Sequence, residues 1–174
     1  MNGQTEIKYK KEKVPNYVLD ILTAGAGSLF LPVGFVRDEE FLFGHYKTEG
    51  YRKLTAMKEI GTEDILGIVL GLLHGIWQGE RVYLFSEIYE ILPEYIFVSR
   101  GYDVIKMVFV PAEEQKKLTD KLRDLLLYLR ERGHSEGYAY IDQALEFLHE
   151  DWGYRALVHR LESLRREVYL CSVK

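Results

Sequence analysis

The side chains best suited to acid–base chemistry in this sequence are two glutamates four positions apart, Glu90 and Glu94. A pair of carboxyl groups works as general acid and general base only where burial and neighbouring charges separate the two pKa values. The sequence shows no such burial, and turn solubility and capping explain both carboxylates. His74 lies among apolar residues, where a histidine is usually a core side chain bonded to a backbone carbonyl; contact with a ligand is the alternative.

A glutamate and a histidine three positions apart occur twice near the C-terminus, as Glu146 with His149 and as His159 with Glu162. This spacing puts both side chains on one helix face, as in carboxylate–histidine metal sites. A metal site would need the two pairs to face each other, with further carboxylates at the same depth. Both pairs border polar faces, so we interpret them as surface residues. We predict neither a metal ion nor another cofactor.

The composition limits the classes of function. The chain has 174 residues, 47% of them hydrophobic, and we predict a single globular domain over residues 1–174. The net charge of −4 is spread without a basic stripe, which argues against nucleic acid as a partner. The longest uncharged apolar run, residues 65–78, is shorter than the about 20 residues that span a bilayer, so we predict no membrane span. The single cysteine, Cys171, suits a reducing compartment, and we predict a cytoplasmic location.

Periodicity and turn residues predict the helices and strands in the first third of the chain. The predicted elements of residues 1–60, which together form an N-terminal α/β lobe, are an edge strand (6–11), a short helix (17–22), a hairpin (28–36 and 41–46) and a second short helix (48–60). His45 on the returning strand is predicted to be a half-exposed cross-strand partner.

Residues 62–79 form a predicted helix with glycine at every fourth position. Thr62 is a suitable N-cap, and acidic residues follow it in the first turn. The glycines recur on one slowly drifting face, and each costs about 1 kcal/mol relative to alanine in a helix interior. They are tolerated where another chain segment packs very close, so we predict a buried central helix.

Residues 61–174 form a predicted helical C-lobe that contains a hairpin over residues 95–110. An amphipathic helix follows Pro111, a second begins at the cap Ser135, and a third follows Gly153. The first of these helices carries an apolar stripe of five leucines: Leu118, Leu122, Leu125, Leu126 and Leu129. With the N-terminal lobe, the predicted fold class is α+β.

Three short motifs support a family resemblance: Leu31-Pro32-Val33, residues 92–98 (LPEYIFV), and residues 108–111 (VFVP) before the leucine-striped helix. In these motifs the chain resembles a bacterial domain family of unassigned function. Members of that family usually form the N-terminal part of proteins that end in a forkhead-associated domain, which binds phosphothreonine. The resemblance implies a signalling context.

The order of elements is also similar, more distantly, to the C-lobe of protein kinases and to the pseudokinase domain of the type VII secretion component related to YukC and EssB. Residues 92–95 match the turn that ends a kinase catalytic loop. Aligned so, Glu90 takes the place of the catalytic aspartate, Tyr95 that of the metal-binding asparagine, and Phe109 or a neighbour that of the second metal-binding aspartate. Tyrosine and phenylalanine cannot hold magnesium. The resemblance therefore implies a kinase-like shape without catalysis.

Four tyrosines cluster around the predicted hairpin: Tyr83, Tyr89, Tyr95 and Tyr102. Tyrosine combines apolar area with a polar tip and is enriched in binding surfaces. The cluster forms either a mixed edge of the core or an interaction surface.

We predict a non-enzymatic interaction or scaffolding domain of a bacterial signalling or secretion protein, with a protein partner. The candidate interaction or vestigial site comprises five residues: Glu90, Glu94, Tyr95, His74 and Tyr89. The alternative is an enzyme or small-molecule-binding domain that uses Glu90, Glu94 and His74 in a pocket between the two lobes. A deep polar cleft holding both carboxylates would favour the alternative.

Overall fold

The computed structural model describes residues 3–149 and 153–172. Those residues form two three-stranded sheets and five α-helices. In chain order, the strands and helices are β1 (Gln4–Lys10), α1 (Asn16–Thr23), β2 (Val33–Arg37), β3 (Phe41–Lys47), β4 (Tyr51–Lys53), α2 (Thr62–Glu80), β5 (Ile96–Ser99), β6 (Ile105–Met107), α3 (Leu118–Arg130), α4 (Tyr138–Phe147) and α5 (Tyr154–Ser172). The predicted α+β class is confirmed.

The first sheet has the strand order β1-β3-β2, and both pairs are antiparallel. β1 is an edge strand, as its alternating pattern predicts. His45 lies opposite Glu6, and its Nδ1 atom is 3.4 Å from Glu6 Oε2, which confirms the predicted cross-strand contact. The sheet therefore follows from local pattern and turn position.

The predicted hairpin begins later than expected. Its first strand, predicted to begin at residue 28, begins at Val33, because residues 28–32 lie outside the ladder with β3. Leu31 donates its backbone N–H to the carbonyl of Met107 at 2.9 Å, and Met107 donates to Leu29 at 2.8 Å. These bonds join the N-terminal part of the chain to β6.

The second sheet has the order β4-β5-β6 and is also antiparallel. The short helix predicted for residues 48–60 is wrong, since Tyr51–Lys53 form β4 and only Leu54–Ala56 make a 3-10 turn. Gly50, with φ of 86°, reverses the chain just before β4 and lets it pair with β5. The predicted hairpin over residues 95–110 is confirmed.

The glycine-striped helix α2 is buried on most of its surface. A Cβ on Gly71 would lie 2.7 Å from Ile105 Cγ1, and one on Gly75 would lie 2.6 Å from Leu29 Cδ1. The predicted close neighbours are thus present at both glycines. The N-cap is Gly61 and not Thr62, which is the first helical residue and is buried.

The three C-terminal helices are present; the first two begin later than predicted, and α5 begins directly after Gly153, as predicted. α3 begins at Leu118, and residues 112–117 are irregular; α4 begins at Tyr138 after a 3-10 turn over Ser135–Gly137. Four of the five predicted stripe leucines of α3 are fully buried: Leu122, Leu125, Leu126 and Leu129. No helix in the described residues is long and apolar enough to cross a membrane.

One lysine is buried against the start of the loop that precedes the hairpin. Lys121 on α3 donates from Nζ to the carbonyls of Ser86, at 2.8 Å, and Tyr89, at 2.6 Å. Burial lowers the pKa of Lys121, and the charges of Glu90 and Glu87 partly oppose that change. This contact fixes the segment that carries Tyr89 and Glu90.

The first sheet is tied to the rest of the core by two tyrosine hydroxyls. Tyr9 donates to the carbonyl of Phe109 at 2.7 Å, so Tyr46, also 2.7 Å away, must donate to Tyr9. The buried apolar residues form one continuous cluster. The sheet β4-β5-β6 draws one strand from residues 1–60 and two from residues 61–174. The predicted lobe boundary at residue 60 stays a prediction.

Candidate functional site

An open groove of about 640 Å³ lies between α2, α5 and the turn that joins β5 to β6. α2 contributes Gly67 and Gly71, whose missing side chains leave the helix backbone accessible from the groove. The twelve lining residues are Glu63, Gly67, Leu70, Gly71, His74, Gly101, Tyr102, Asp103, Glu162, Arg165, Arg166 and Tyr169. The glycine face of α2 thus has two uses, packing against β6 at Gly71 and shaping an open groove at Gly67.

Charges of both signs line this groove. The Nη2 atom of Arg165 on α5 is 3.5 Å from Oε1 of Glu63 on α2, and this ion pair joins the two walls. Asp64, which follows Glu63 on α2 and does not line the groove, has its pKa raised by burial and by the negative charge of Glu63, against the lowering effect of Arg165. On the hairpin side, Ser99 donates to Asp103 at 2.5 Å, which lowers the pKa of that carboxyl. The groove therefore carries charges of both signs without a strong net charge.

His74 is exposed and lines this groove, so its interpretation as a core residue is wrong. The reason is its place on α2: positions 67, 71 and 74 are spaced i, i+4 and i+7 and share one helix face. Because Gly67 and Gly71 present no side chains, the histidine beside them is reached by solvent. The same spacing, read from the sequence, was sufficient to place His74 next to the glycine face.

Glu90 lies at a different place, an open depression of about 390 Å³ beside the irregular residues that precede α3. Its Oε1 atom accepts a hydrogen bond from the backbone N–H of Glu113 at 3.1 Å, and its own N–H donates to Val110 at 2.8 Å. Half-buried Tyr95 lines the same depression, whereas Glu94 is exposed and does not. Glu90 therefore has a structural role in holding this loop.

We expect Glu90→Gln to change the free energy of unfolding by less than about 1 kcal/mol, because the glutamine carbonyl oxygen can still accept the Glu113 N–H. Urea denaturation at neutral pH measures this value. Were Glu90 a working acid or base, the same change would lower turnover by about 10²–10⁴-fold with stability retained. A loss of several kcal/mol would instead mean that the carboxylate charge itself holds the loop.

Tyr89, one of the five predicted site residues, is fully buried. Its ring packs edge-on against Phe30 with centroids 5.2 Å apart and lies 6.1 Å from the ring of Phe109. Its hydroxyl has no hydrogen-bond partner among the described residues. In this structure Tyr89 is a core side chain, beyond the reach of a partner.

We expect Tyr89→Phe to leave the stability unchanged or to raise it by up to about 1 kcal/mol, because the change removes a buried hydroxyl that makes no hydrogen bond. Tyr46→Phe is the matched variant. It removes a hydroxyl that donates to Tyr9, and it should cost about 1 kcal/mol. Urea denaturation at pH 7 compares the two, and a larger loss for Tyr89→Phe would show that its hydroxyl is bonded in solution.

The structure brings together only part of the predicted site. Glu90 and Tyr95 line one depression, His74 lines the groove, Glu94 lines neither, and Tyr89 is in the core. Within residues 3–149 and 153–172, no group of three or more histidine, cysteine, aspartate or glutamate side chains is placed to hold a metal ion. The pairs Glu146–His149 and His159–Glu162 accordingly form no such group.

The α5 wall of the groove is absent from the sequence-based prediction. Arg165 and Glu63 are 102 positions apart, so no local motif links them. The available signal is a polar stripe on α5, with Glu162, Arg165 and Arg166 spaced along the face next to the buried Leu157, Leu161 and Leu164. Such a stripe indicates a surface but not the helix that it faces.

The fold is similar to that of a solved EssB fragment. The cytoplasmic fragment of EssB from Geobacillus thermodenitrificans matches with a TM-score of 0.59 at 12% sequence identity, over 96% of this chain and 86% of that fragment. The cytoplasmic fragment from Staphylococcus aureus matches with a TM-score of 0.47 at 13% identity, over 94% of this chain and 97% of that fragment. Neither a protein-family profile nor a curated protein matches the sequence. The chain therefore has the fold of the Geobacillus EssB fragment, and the predicted structural relation to EssB is confirmed.

Proposed function

We propose that this protein is a non-enzymatic interaction or scaffolding domain of a bacterial secretion system related to type VII secretion, and that it works in the cytoplasm. The observation that carries the proposal is the fold likeness to the EssB cytoplasmic fragment over nearly the whole of both chains. The order of elements predicted from the sequence, with the turn at residues 92–95, resembles the pseudokinase domain related to YukC and EssB and also supports the proposal.

The residues at the aligned kinase positions support a pseudokinase rather than a kinase. Phe109, at or next to the position of the second metal-binding aspartate, is fully buried, with its ring 5.8 Å from that of Phe30. Tyr95, at the asparagine position, is half-buried and carries no carboxylate or amide oxygen. Glu90 uses its carboxylate to hold the backbone of Glu113. These side chains contribute packing and loop geometry. They do not supply the metal-binding oxygens that phosphoryl transfer needs. The forkhead-associated neighbour and the signalling context stay predictions.

The alternative, an enzyme or small-molecule-binding domain, requires Glu90, Glu94 and His74 in one pocket. The structure places His74 and Glu90 at separate sites and leaves Glu94 outside both. The expected deep cleft with both carboxylates is not formed by these residues, which favours the scaffolding proposal.

Magnesium–ATP binding tests the absence of catalysis. In isothermal titration of the full chain with Mg·ATP we expect no saturable binding, because the aligned positions supply no pair of metal-binding oxygens. A phosphotransfer assay with a generic acceptor protein should give no product above the buffer control. Micromolar Mg·ATP binding together with phosphotransfer that Glu90→Gln abolishes would overturn the proposal.

Deletion of the gene tests the secretion role in the bacterium. We expect the deletion strain to lose export of type VII substrates and to regain it with the wild-type gene on a plasmid. Immunoblots of culture medium and cell pellet measure the exported fraction. Normal export in the deletion strain would refute a role in secretion.

A further inference from the structure

Four large apolar side chains, three of them exposed and one half-buried, form a cluster between α1 and the loop that follows α2. We call this cluster the aromatic surface; it consists of Tyr17, Ile21, Tyr83 and Phe85. They line an open depression of about 570 Å³ together with Asp20. Tyr83 is 70% exposed, Tyr17 46% and Phe85 44%, so the ring surfaces face solvent. Contiguous apolar surface of this kind, rimmed by polar residues, is typical of an interaction site.

The backbone at Tyr83 is strained. α2 ends with the two bonds of a Schellman motif, from Leu84 N–H to the carbonyl of Gly79 at 2.9 Å and from Tyr83 N–H to the carbonyl of Glu80 at 3.1 Å. The residue at the position of Tyr83 in this motif has positive φ and is usually glycine. Tyr83 has φ of 65°, a conformation that costs a side-chain-bearing residue free energy.

The fold gains little packing from this tyrosine in return. Its side chain is mostly exposed, and the ring of Phe85, 6.5 Å away, is itself on the surface. A glycine would end α2 with less strain, so the tyrosine is costly for folding. Residues held in strained conformations without a packing reason cluster at binding and catalytic sites.

The one charged residue that lines the depression, Asp20, is acidic, and two further glutamates flank Tyr83 and Phe85 in the sequence. Asp20 lines the depression, Glu80 precedes Tyr83 by one helical turn, and Glu87 follows Phe85 by two positions. Burial and the nearby charge of Glu87 raise the pKa of Glu80. None of the three carboxylates forms an ion pair within the described residues. The closest cation in sequence, Arg81, has its guanidinium 5.7 Å from the ring of Trp77.

We propose that the aromatic surface binds an amphipathic helix of a partner protein, one that presents large apolar side chains flanked by lysine or arginine. The rings supply apolar area, and the carboxylate of Asp20, with those of Glu80 and Glu87 close to it in the sequence, complements a basic flank. The same carboxylates would repel an anionic membrane. This inference deepens the proposed function and rests on it, since it names where an interaction domain would hold its partner.

Fluorescence anisotropy with two labelled model helices tests the proposal on the full chain. One peptide is an amphipathic helix of leucine and lysine, and the other has glutamate in place of every lysine. We expect saturable binding of the lysine peptide. The affinity for the glutamate peptide should be at least about tenfold lower. Equal affinity for both peptides would overturn the acidic part of the proposal, and no binding of either would overturn the whole.

Tyr83→Gly separates a role in binding from a role in folding. If the tyrosine serves binding, the variant loses affinity but gains stability; if it serves folding, the variant loses stability. We expect this variant to bind the lysine peptide about tenfold more weakly and to raise the Tm by about 2 °C, since glycine relieves the positive φ. Tyr17→Ser should weaken binding too, without a rise in Tm. Leu127→Ala on α3, where the leucine is 47% exposed, is the matched control and should bind as the wild type does. Unchanged affinity of Tyr83→Gly, or a lower Tm, would overturn the proposal.

Two further measurements distinguish the ways in which the proposal can fail. Vesicles of phosphatidylserine and phosphatidylcholine should not bind the protein; binding that Tyr83→Gly abolishes would assign the surface to a membrane instead. In the deletion strain, a Tyr83→Gly allele should fail to restore export although the protein accumulates normally. If this allele restores export fully, the proposed function stands and the aromatic surface is not used. If the deletion itself leaves export normal, the proposed function fails.

Discussion

Gly71→Leu should lower the free energy of unfolding by about 3 kcal/mol, a Tm loss of about 6–12 °C. A Cβ at this position would lie 2.7 Å from Ile105 Cγ1, and Ile105 is buried on β6 with α2 on one side. A leucine adds three more carbons beyond that Cβ, so β6 or α2 must move. Urea denaturation followed by far-UV circular dichroism measures the change.

Gly67→Leu is the matched control on the same helix. A Cβ there meets only the flexible guanidinium end of Arg165, at 3.4 Å, beside the open groove. We expect a change within about 1 kcal/mol, because loss of the glycine penalty in a helix offsets any contact with Arg165. If Gly71→Leu were equally mild, the close packing between α2 and β6 would not exist in solution.

Alkaline pH should unfold the domain steeply, because three tyrosine hydroxyls are buried. Burial raises the pKa of Tyr9, Tyr46 and Tyr89 well above the ordinary value of 10.0. The hydrogen bond between Tyr46 and Tyr9 raises the pKa of Tyr9 further and partly lowers that of Tyr46. Above pH 10 the unfolded chain loses these protons while the folded chain keeps them, so stability falls as pH rises. Each buried tyrosine contributes about 1.4 kcal/mol per pH unit, about 4 kcal/mol per unit for the three.

Two lysines act in the opposite direction at lower pH. Burial lowers the pKa of Lys106 and Lys121 below 10.5, so their contribution to stability rises with pH up to that value and is constant above it. The tyrosine effect is therefore measured above pH 10.5, as the slope of the free energy of unfolding against pH. Urea denaturation at intervals of half a pH unit gives this slope. Tyr89→Phe should reduce the slope by about a third. An unchanged slope in that variant would show that the Tyr89 hydroxyl titrates freely in the folded protein.

The fold could be predicted from the sequence wherever a local pattern decides the structure. The four-residue glycine spacing and the leucine stripe predict α2 and α3, and alternation predicts β1 as an edge strand. β4 could not be predicted, because its strand conformation comes from pairing with β5, whose partner residue for Tyr51 is Ser99. Tertiary pairing of this kind overrides an amphipathic pattern that reads locally as a helix.

The candidate site was less predictable because it depends on side-chain exposure. His74 and Tyr89 are both in apolar surroundings in the sequence, yet His74 faces the groove and Tyr89 is fully buried. His74 is exposed because two glycines lie beside it on α2, whereas Tyr89 is covered by two phenylalanine rings. One of those rings, that of Phe30, is distant in sequence. The predicted cluster of Tyr83, Tyr89, Tyr95 and Tyr102 is divided among different places: Tyr83 lies on the aromatic surface, Tyr89 in the core, Tyr95 beside Glu90 and Tyr102 in the groove. The positive φ of Tyr83 is visible only in the structure.

The bond from Tyr9 to the carbonyl of Phe109 spans 100 positions and has a consequence for synthesis on the ribosome. At about 5–20 residues per second, β1 is made roughly 5–20 s before its acceptor exists. During that interval β1 can pair with β3, but the hydroxyls of Tyr9 and Tyr46 have only each other and water. Lys8 and Lys10 along this edge strand hinder pairing with other nascent chains. We therefore expect the N-terminal third to leave the ribosome as an unfinished sheet that completes folding only after residue 109 has emerged.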